Sequence, residues 1–339
     1  MFDFINKPLG WVLENLADIF SGNFAIAVFA FTVLINVLLI PLNVKSQKSS
    51  VQQTRIKPKL DELKKRCGDD RQKFATESQK LYADEGVSMS PGCLPMLLRL
   101  VLMLCIYTVI LSPLTYMSGV EKTHITNVTE TVSKRLSDIK KEDKEKHKEY
   151  TELLNWKEGR SQELSIVGII RNDEDVLKEV LTEKQYKKIK DDLSEIKAKD
   201  KESAINYTFI TEKINLTETP KFSLDIFHEA QLIWIMPLLA FAAQMISGFF
   251  SMKMQKKINP DAPNMAAMMF GMPIFSLFIG FGFPAGVTFY WACSSLIGGI
   301  IQLGVQYFYG PHKMLSRERA KELAKQCDFE ATQLKKFGN

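Results

Sequence analysis

CLPMLLRLVLMLCIYTVIL, residues Cys93 to Leu111, is an apolar run with a single charge, Arg99, near its middle. At about 1.5 Å of rise per residue a helix of this length nearly crosses a hydrocarbon core of about 30 Å. The same reading applied outward finds comparable windows at Phe24 to Val44, Pro91 to Leu114, Leu232 to Phe250, Met265 to Phe281 and Pro284 to Tyr307. Of the 44 Lys and Arg and 39 Asp and Glu in the chain, Arg99 alone falls inside these windows. Apolar residues gathered into blocks in this way predict an all-α polytopic membrane protein with five transmembrane helices.

Charge placement orients the spans. Lys45 to Pro91 carries eleven Lys and Arg against seven Asp and Glu, and the connector after Ser251 holds Lys253, Lys256 and Lys257. The tail from His312 carries seven basic residues against four acidic ones. Basic segments near span ends stay in the cytoplasm, so these three regions are expected inside. Residues 1–23 hold Lys7 against Asp3, Glu14 and Asp18, which suits an external N-terminus. The predicted order is an external amphipathic segment (1–23), span one (24–44), a cytoplasmic helical hairpin (45–90) and span two (91–114). An external insertion (115–231), span three (232–250), a cytoplasmic loop (251–264), span four (265–281), span five (284–307) and a basic cytoplasmic tail (308–339) follow. The expected location is a bacterial cytoplasmic membrane, N-terminus outside and C-terminus inside.

In the first segment Phe2, Phe4, Ile5, Leu9, Val12, Leu13, Leu16 and Phe20 recur near helical period, as in a helix lying on a membrane surface or extending the first span. Between the first two spans, Ile56, Leu60 and Leu63 mark one helical stripe and Phe74, Leu81 and Tyr82 another, with Cys67-Gly68-Asp69-Asp70 as the turn. Its basic face is either a solvated topology signal or a contact for a ribosome, a targeting factor or anionic lipid. The external insertion is rich in charged, helix-favouring stretches such as DVLKEVLTEKQYKKIKDDLSEIKAK. It reads as a small helical module or as a spacer with little core to bury.

The five cysteines have no Cys-x-x-Cys spacing, and no phosphate loop, His-Glu-x-x-His or Gly-x-Ser-x-Gly occurs. Neither catalysis nor a cofactor or metal site is expected. With no basic leader followed by an apolar run and cleavage site, a signal peptide and a lipid-modified cysteine are not expected either. The mild net charge of +5 lends no support to DNA or RNA as a partner.

INVLLIPLNVKSQKSS in span one, KLYADEGVSMSPGCLPMLL entering span two and LSPLTYM after it carry a resemblance, together with INLTETPKFSLD, IWIMPLLAF and FGFPAGVTFYWACSSL. On these stretches the chain resembles the YidC family of membrane protein insertases, related to the Oxa-type insertases, over nearly its whole length. The compact form looks like the Gram-positive type, with a longer external insertion. The resemblance implies a helical bundle enclosing a hydrophilic groove open to the cytoplasm and to lipid. It also implies insertion without ATP, nascent membrane proteins and lipids as partners, and the Sec translocon and ribosome as further candidates. Polar groups taken unsatisfied into hydrocarbon cost several kcal/mol each, so a hydrated groove shortens the costly path.

Family members usually carry arginine at the position matching Asn36 and a neutral residue at the position matching Arg99, the reverse of this sequence. Asn36 lies eight residues before Val44, and Arg99 eight residues after Pro91 in the antiparallel neighbour, so both sit at roughly 12 Å of depth. Arg99 either snorkels to the inner headgroups or faces the groove; the neutral Asn36 favours the groove. Gln244 and Ser247 in span three, and Thr288, Trp291, Ser295 and Gln302 in span five, are further groove candidates. Each polar one of them alternatively glues packed helices. Two other functions remain open at this point, a channel or transporter with an anion site at Arg99 and a membrane anchor for the external module.

Overall fold

The computed structural model describes residues 3–68, 70–87, 93–157, 159–172, 174–203, 205–209, 211–220, 231–258, 266–310 and 323–330, with Ser316 and Ala320. The helices are α1 (Asp3–Ile19), α2 (Phe24–Leu38), α3 (Ile40–Cys67), α4 (Arg71–Asp84), α5 (Cys93–Leu111), α6 (Pro113–Tyr116) and α7 (Lys122–Glu142). They continue as α8 (Lys144–Leu153), α9 (Gln162–Asn172), α10 (Val176–Val180), α11 (Glu183–Ser203), α12 (Ile235–Ile258), α13 (Ala266–Gly280) and α14 (Ala285–Tyr309). Among the described residues the fold is helical apart from one feature that the helical reading of the insertion did not include, a small antiparallel hairpin. Its strands are β1 (Thr208–Phe209) and β2 (Thr211–Asn215), with Thr208 opposite Asn215.

Among the described residues two segments are long and apolar enough to cross a membrane, Leu232–Met254 and Ala285–Tyr309. A third is the pair Phe24–Leu38 and Ile40–Ser49, bent by 45°. The bend falls where Pro41 opens α3: proline has no amide hydrogen to donate back into the preceding turn and its ring crowds that turn's carbonyl. Of the remaining two expected spans, α5 has 19 residues and α13 has 15 among the described residues. Ile26, Phe29 and Val37 on α2, Ile246 and Phe249 on α12, Phe275 and Phe278 on α13, and Ile300 on α14 are all exposed. Large apolar surface in such quantity is unfavourable against water and natural against lipid tails, which makes this a membrane protein.

The chain divides into two compact units, residues 1–34, 101–244 and 272–295 in one and 35–100, 245–271 and 296–339 in the other. In the first, α1 buries Asn6, Gly10, Leu13 and Ala17, a single stripe at helical spacing. Its backbone approaches α6 so closely that a β-carbon on Gly10 would collide with the Tyr116 carbonyl. Asp3 accepts hydrogen bonds from the Tyr116 hydroxyl (2.5 Å) and the Lys122 ammonium (3.1 Å), which hold its carboxyl below the usual range. The α1 faces turned away from this contact expose Phe4, Trp11 and Ile19.

The insertion has a core of its own. Buried Ile125, Val128, Val132, Leu136 and Ile139 on α7 meet Ile189, Leu193 and Ile196 on α11, while α9 adds Leu164, Ile166, Val167 and Ile170. At roughly 1.5–3 kcal/mol for each large aliphatic side chain buried, sparse but well-spaced apolar residues suffice to order a charged segment. Asp143 ends the α7 pattern and caps α8, accepting from the Glu145 and Lys146 amides at 2.9 and 3.1 Å.

In the second unit α3 continues to Cys67 and turns at Gly68, whose φ of 57° lies in the region glycine reaches most cheaply. Asp70 then caps α4 by accepting from the Lys73 amide at 2.9 Å. Lys59 and Glu85 pair across the resulting α3–α4 hairpin, where Ile56, Cys67 and Ser78 are buried. Most of the basic tail and residues 259–265 lie outside the described residues.

Candidate functional site

The second unit gathers carboxamides on the apolar α14 and along the path from apolar α2 into α3, which turns basic beyond Val44. Asn36, Asn43 and Gln47 are all buried, and their spacing of seven and then four residues keeps them on one face of the helical path from α2 into α3. On α14, Gln302 and Gln306 are one turn apart. The Gln302 Nε2 donates to the Gln47 Oε1 at 3.5 Å, joining the two helices. Asn43 Nδ2 and Gln306 Oε1 are buried with no partner among the described residues, one a donor and the other an acceptor. An amide atom left in that state costs about 1–3 kcal/mol.

Ser247, on α12 in the same unit, lies where a β-carbon on Gly299 would come within 2.5 Å of its Oγ. Only a glycine allows α12 and α14 to approach this closely, the use expected of small residues in membrane helices. Lys48 lies 5.6 Å from the centre of the Tyr309 ring, a cation-π contact one residue beyond Gln47. The backbone of Arg99 is helical and belongs to this unit, while its side chain lies outside the described residues.

Four of the sequence candidates fall in the first unit. Gln244 accepts from the Ser276 hydroxyl at 3.1 Å, linking α12 to α13. Thr288 is wholly buried and its hydroxyl donates to the Ala285 carbonyl of its own helix at 2.9 Å. Trp291 packs against Ala240, Ala243 and Ala292 and meets Phe283 edge-on at 5.5 Å, and Phe283 in turn meets Tyr107 at 5.1 Å. Its indole Nε1 is buried without a partner among the described residues. Ser295 is half-buried one turn further along α14.

Asn43, Gln47 and Gln306 were not among the sequence candidates. The signal that finds them is helical phase: Asn43 and Gln47 continue the face of Asn36 past the point where apolar composition ends, and Gln306 follows Gln302 by one turn.

The family model described as 60Kd inner membrane protein matches residues 15–161 and 203–312. Within the membrane protein insertase YidC of Dinoroseobacter shibae the chain is 38% identical over 109 residues, 32% of this chain and 18% of that protein. It is 36% identical over 115 residues to the membrane protein insertase YidC of Alkalihalophilus pseudofirmus, covering 32% of this chain and 46% of the relative. For the membrane protein insertase YidC 2 of Listeria innocua the figures are 34% over 111 residues, 32% and 39%. Each of these matches spans less than half of the relative's length. The family match covers most of the chain on both sides of residues 162–202, and the protein belongs to the 60Kd inner membrane protein family, the YidC/Oxa family of membrane protein insertases.

Proposed function

We propose that this protein inserts newly made membrane proteins into the bacterial cytoplasmic membrane through a hydrophilic groove, without ATP hydrolysis and without covalent catalysis. The observation that carries the reading is the set of carboxamides in the second unit, with Asn36, Asn43 and Gln47 buried, Gln302 and Gln306 half-buried, and Gln302 bonded to Gln47. Carboxamides both donate and accept, so water or a passing polar segment pairs with either kind of group on a translocating chain. The hydrophobic segment of the substrate then leaves sideways, and its partitioning into lipid supplies the drive.

Arg99 provides the positive charge of this groove in the reading offered here, with the neutral Asn36 on the neighbouring helix. Ser247, Gln244, Thr288, Trp291 and Ser295 are further candidates for contact with the substrate. The five-span order places the N-terminus outside and the C-terminus inside, with α1 resting on the outer surface through Phe4, Trp11 and Ile19, as its exposed apolar side chains support. Nascent membrane proteins and lipids are the proposed partners, with the Sec translocon and ribosome as cytoplasmic-membrane collaborators; DNA is not among them.

The test is reconstitution. Purified protein in liposomes, with no ATP present, is expected to make a single-span substrate with a short acidic tail resistant to added protease. Empty liposomes give the baseline, and no gain over it would overturn the insertase reading. Anion efflux from the same liposomes in place of insertion would support a channel instead. Orientation is read separately by impermeant thiol labelling of intact cells, which is expected to reach a cysteine at the exposed Asn155 and not one at the exposed Gln79.

A further inference from the structure

In the first unit the starts of α2 and α14 and the end of α5 converge on Gly286. A β-carbon there would lie 3.1 Å from the Leu216 carbonyl oxygen, 3.4 Å from Ile110 and 3.5 Å from Phe24. The Gly286 amide donates to Leu216 O at 2.7 Å and the Ala285 amide to Glu218 O at 2.8 Å, so residues 216–218 cap α14. Thr217 O, between these acceptors, receives the Lys157 ammonium at 2.8 Å.

Residues 162–202 fall outside the family match, yet they reach this junction at two places. Glu163 on α9 accepts from the Thr115 amide (3.1 Å) and the Thr115 hydroxyl (2.8 Å) in the first turn of α6. Ser112, at the N-cap of α6, supplies no side-chain cap, so the carboxylate of a distant helix does the capping. Arg171, also on α9, grips the buried Asp200 through Nε (2.7 Å) and Nη2 (2.6 Å) and gives Nη1 to Ile205 O at 2.6 Å. Its guanidinium lies 4.8 Å from the Tyr207 ring, which meets Phe24 edge-on at 5.0 Å. Between them, Asn206 pairs with the start of α2, its carbonyl accepting from the Phe24 amide (3.0 Å) and its amide donating to Gly22 O (2.7 Å).

A four-residue helix and a three-residue extended segment do not hold their positions through their own hydrogen bonds. Among the contacts that fix them are two charged side chains of α9, both within residues that the family match leaves out. We propose that residues 162–202 are a strap that closes the end of the helices where α2, α5 and α14 converge, with Glu163 and Arg171 as its pins. The strap makes closure of this end a property that the insertion controls, and any force or ligand that moves α9 is transmitted to the ends of two spans.

Native cysteines report the state of the strap. Cys105 on α5 is wholly buried and Cys293 on α14 nearly so, both in this unit, while Cys67 is buried in the other unit. The measurement is the rate at which a water-soluble maleimide modifies each cysteine in purified protein held in lipid nanodiscs, resolved by peptide mass spectrometry. Both bilayer faces meet the reagent there, so the result is independent of chain orientation and of insertase activity. Glu163→Ala and Arg171→Ala are each expected to raise labelling of Cys105 and Cys293 by about tenfold, with Cys67 unchanged, as befits a local opening. Should either alanine variant fail to accumulate, Glu163→Gln and Arg171→Lys carry the test with a smaller rise at the same two cysteines. Unchanged rates at Cys105 and Cys293, or a rise shared equally by Cys67, would overturn the strap.

Discussion

The carboxamides of Gln302 and Gln47 meet at 3.5 Å, two hundred and fifty-five positions apart in sequence, one on the apolar α14 and the other where α3 turns from apolar to basic. A pair of neutral groups in that setting stabilises little, because each gave up its hydration to form one long hydrogen bond. In the proposed groove the pair serves insertion rather than stability. Gln47→Leu combined with Gln302→Leu is therefore expected to leave the melting temperature in detergent unchanged or raised, while insertion of a single-span substrate falls several-fold. The single substitutions, each leaving one amide unpaired, are expected to destabilise by about 1–3 kcal/mol. Full insertion activity in the double variant would remove the cluster from the groove.

Gly10 allows the backbone of α1 to lie against the Tyr116 carbonyl, and the Asp3 to Tyr116 and Asp3 to Lys122 hydrogen bonds depend on that approach. Gly10→Ala pushes the helix off a backbone atom, which has no rotamer through which to yield. A loss of about 1–3 kcal/mol is expected, read as a lowered melting temperature and faster hydrogen exchange in α1. An unchanged melting temperature would mean that α1 is held by lipid alone.

Legibility in the sequence followed the range of the interaction. Apolar blocks are local, so α12 and α14 could be read directly, and the Cys67–Asp70 turn carries its own chemistry in Gly68 and the Asp70 cap. The polar site was only half visible. Asn36 and Gln302 stand out inside apolar windows, but Asn43 and Gln47 sit where composition changes from lipid-like to basic while the helix continues unbroken to Cys67. The core of the insertion was under-read for a related reason: Ile125, Val128, Val132, Leu136 and Ile139 are few, yet their spacing places them all on one face of α7. Least legible were Glu163 and Arg171, since in a chain crowded with charge nothing local separates a carboxylate that caps a helix 48 residues away from one that is merely solvated.

His124 on α7 contacts Asp192 on α11 through Nδ1 at 2.7 Å, and Asn127 donates to the same carboxylate at 3.2 Å. The hydrogen bond to Asp192 raises the imidazole above its ordinary value of 6.5. A folded state that holds its proton more tightly gains stability below the ordinary value and loses it as pH rises through the folded one. Hydrogen exchange in α7 and α11 is accordingly expected to accelerate, beyond its intrinsic pH dependence, as pH rises above the imidazole's ordinary 6.5. His124→Gln should flatten that excess, and an equal excess in the variant would show that the pair contributes nothing to joining the two helices.

Asn36 is buried in the same compact unit as the backbone of Arg99, and the span order expected from the sequence puts both at roughly 12 Å of depth. If the charge of the groove has moved from one helix to the other, it is the cavity and not the particular helix that requires it. Arg99→Ala is then expected to reduce insertion of single-span substrates with acidic external tails several-fold, and Arg99→Lys to retain part of the activity. Adding Asn36→Arg to Arg99→Ala should restore insertion, because the guanidinium returns to the same space from the adjacent helix. An arginine that merely snorkels to the headgroups predicts the opposite: its loss is tolerated, and an extra charge at position 36 carries a burial cost of about 2.5–3.5 kcal/mol without benefit. The measurement is complementation of an insertase-depleted strain with the three variants, each checked for equal abundance in the membrane. Wild-type growth with Arg99→Ala would defeat the groove assignment of Arg99. A defect that Asn36→Arg fails to relieve would defeat the exchange alone and tie the charge to its own helix.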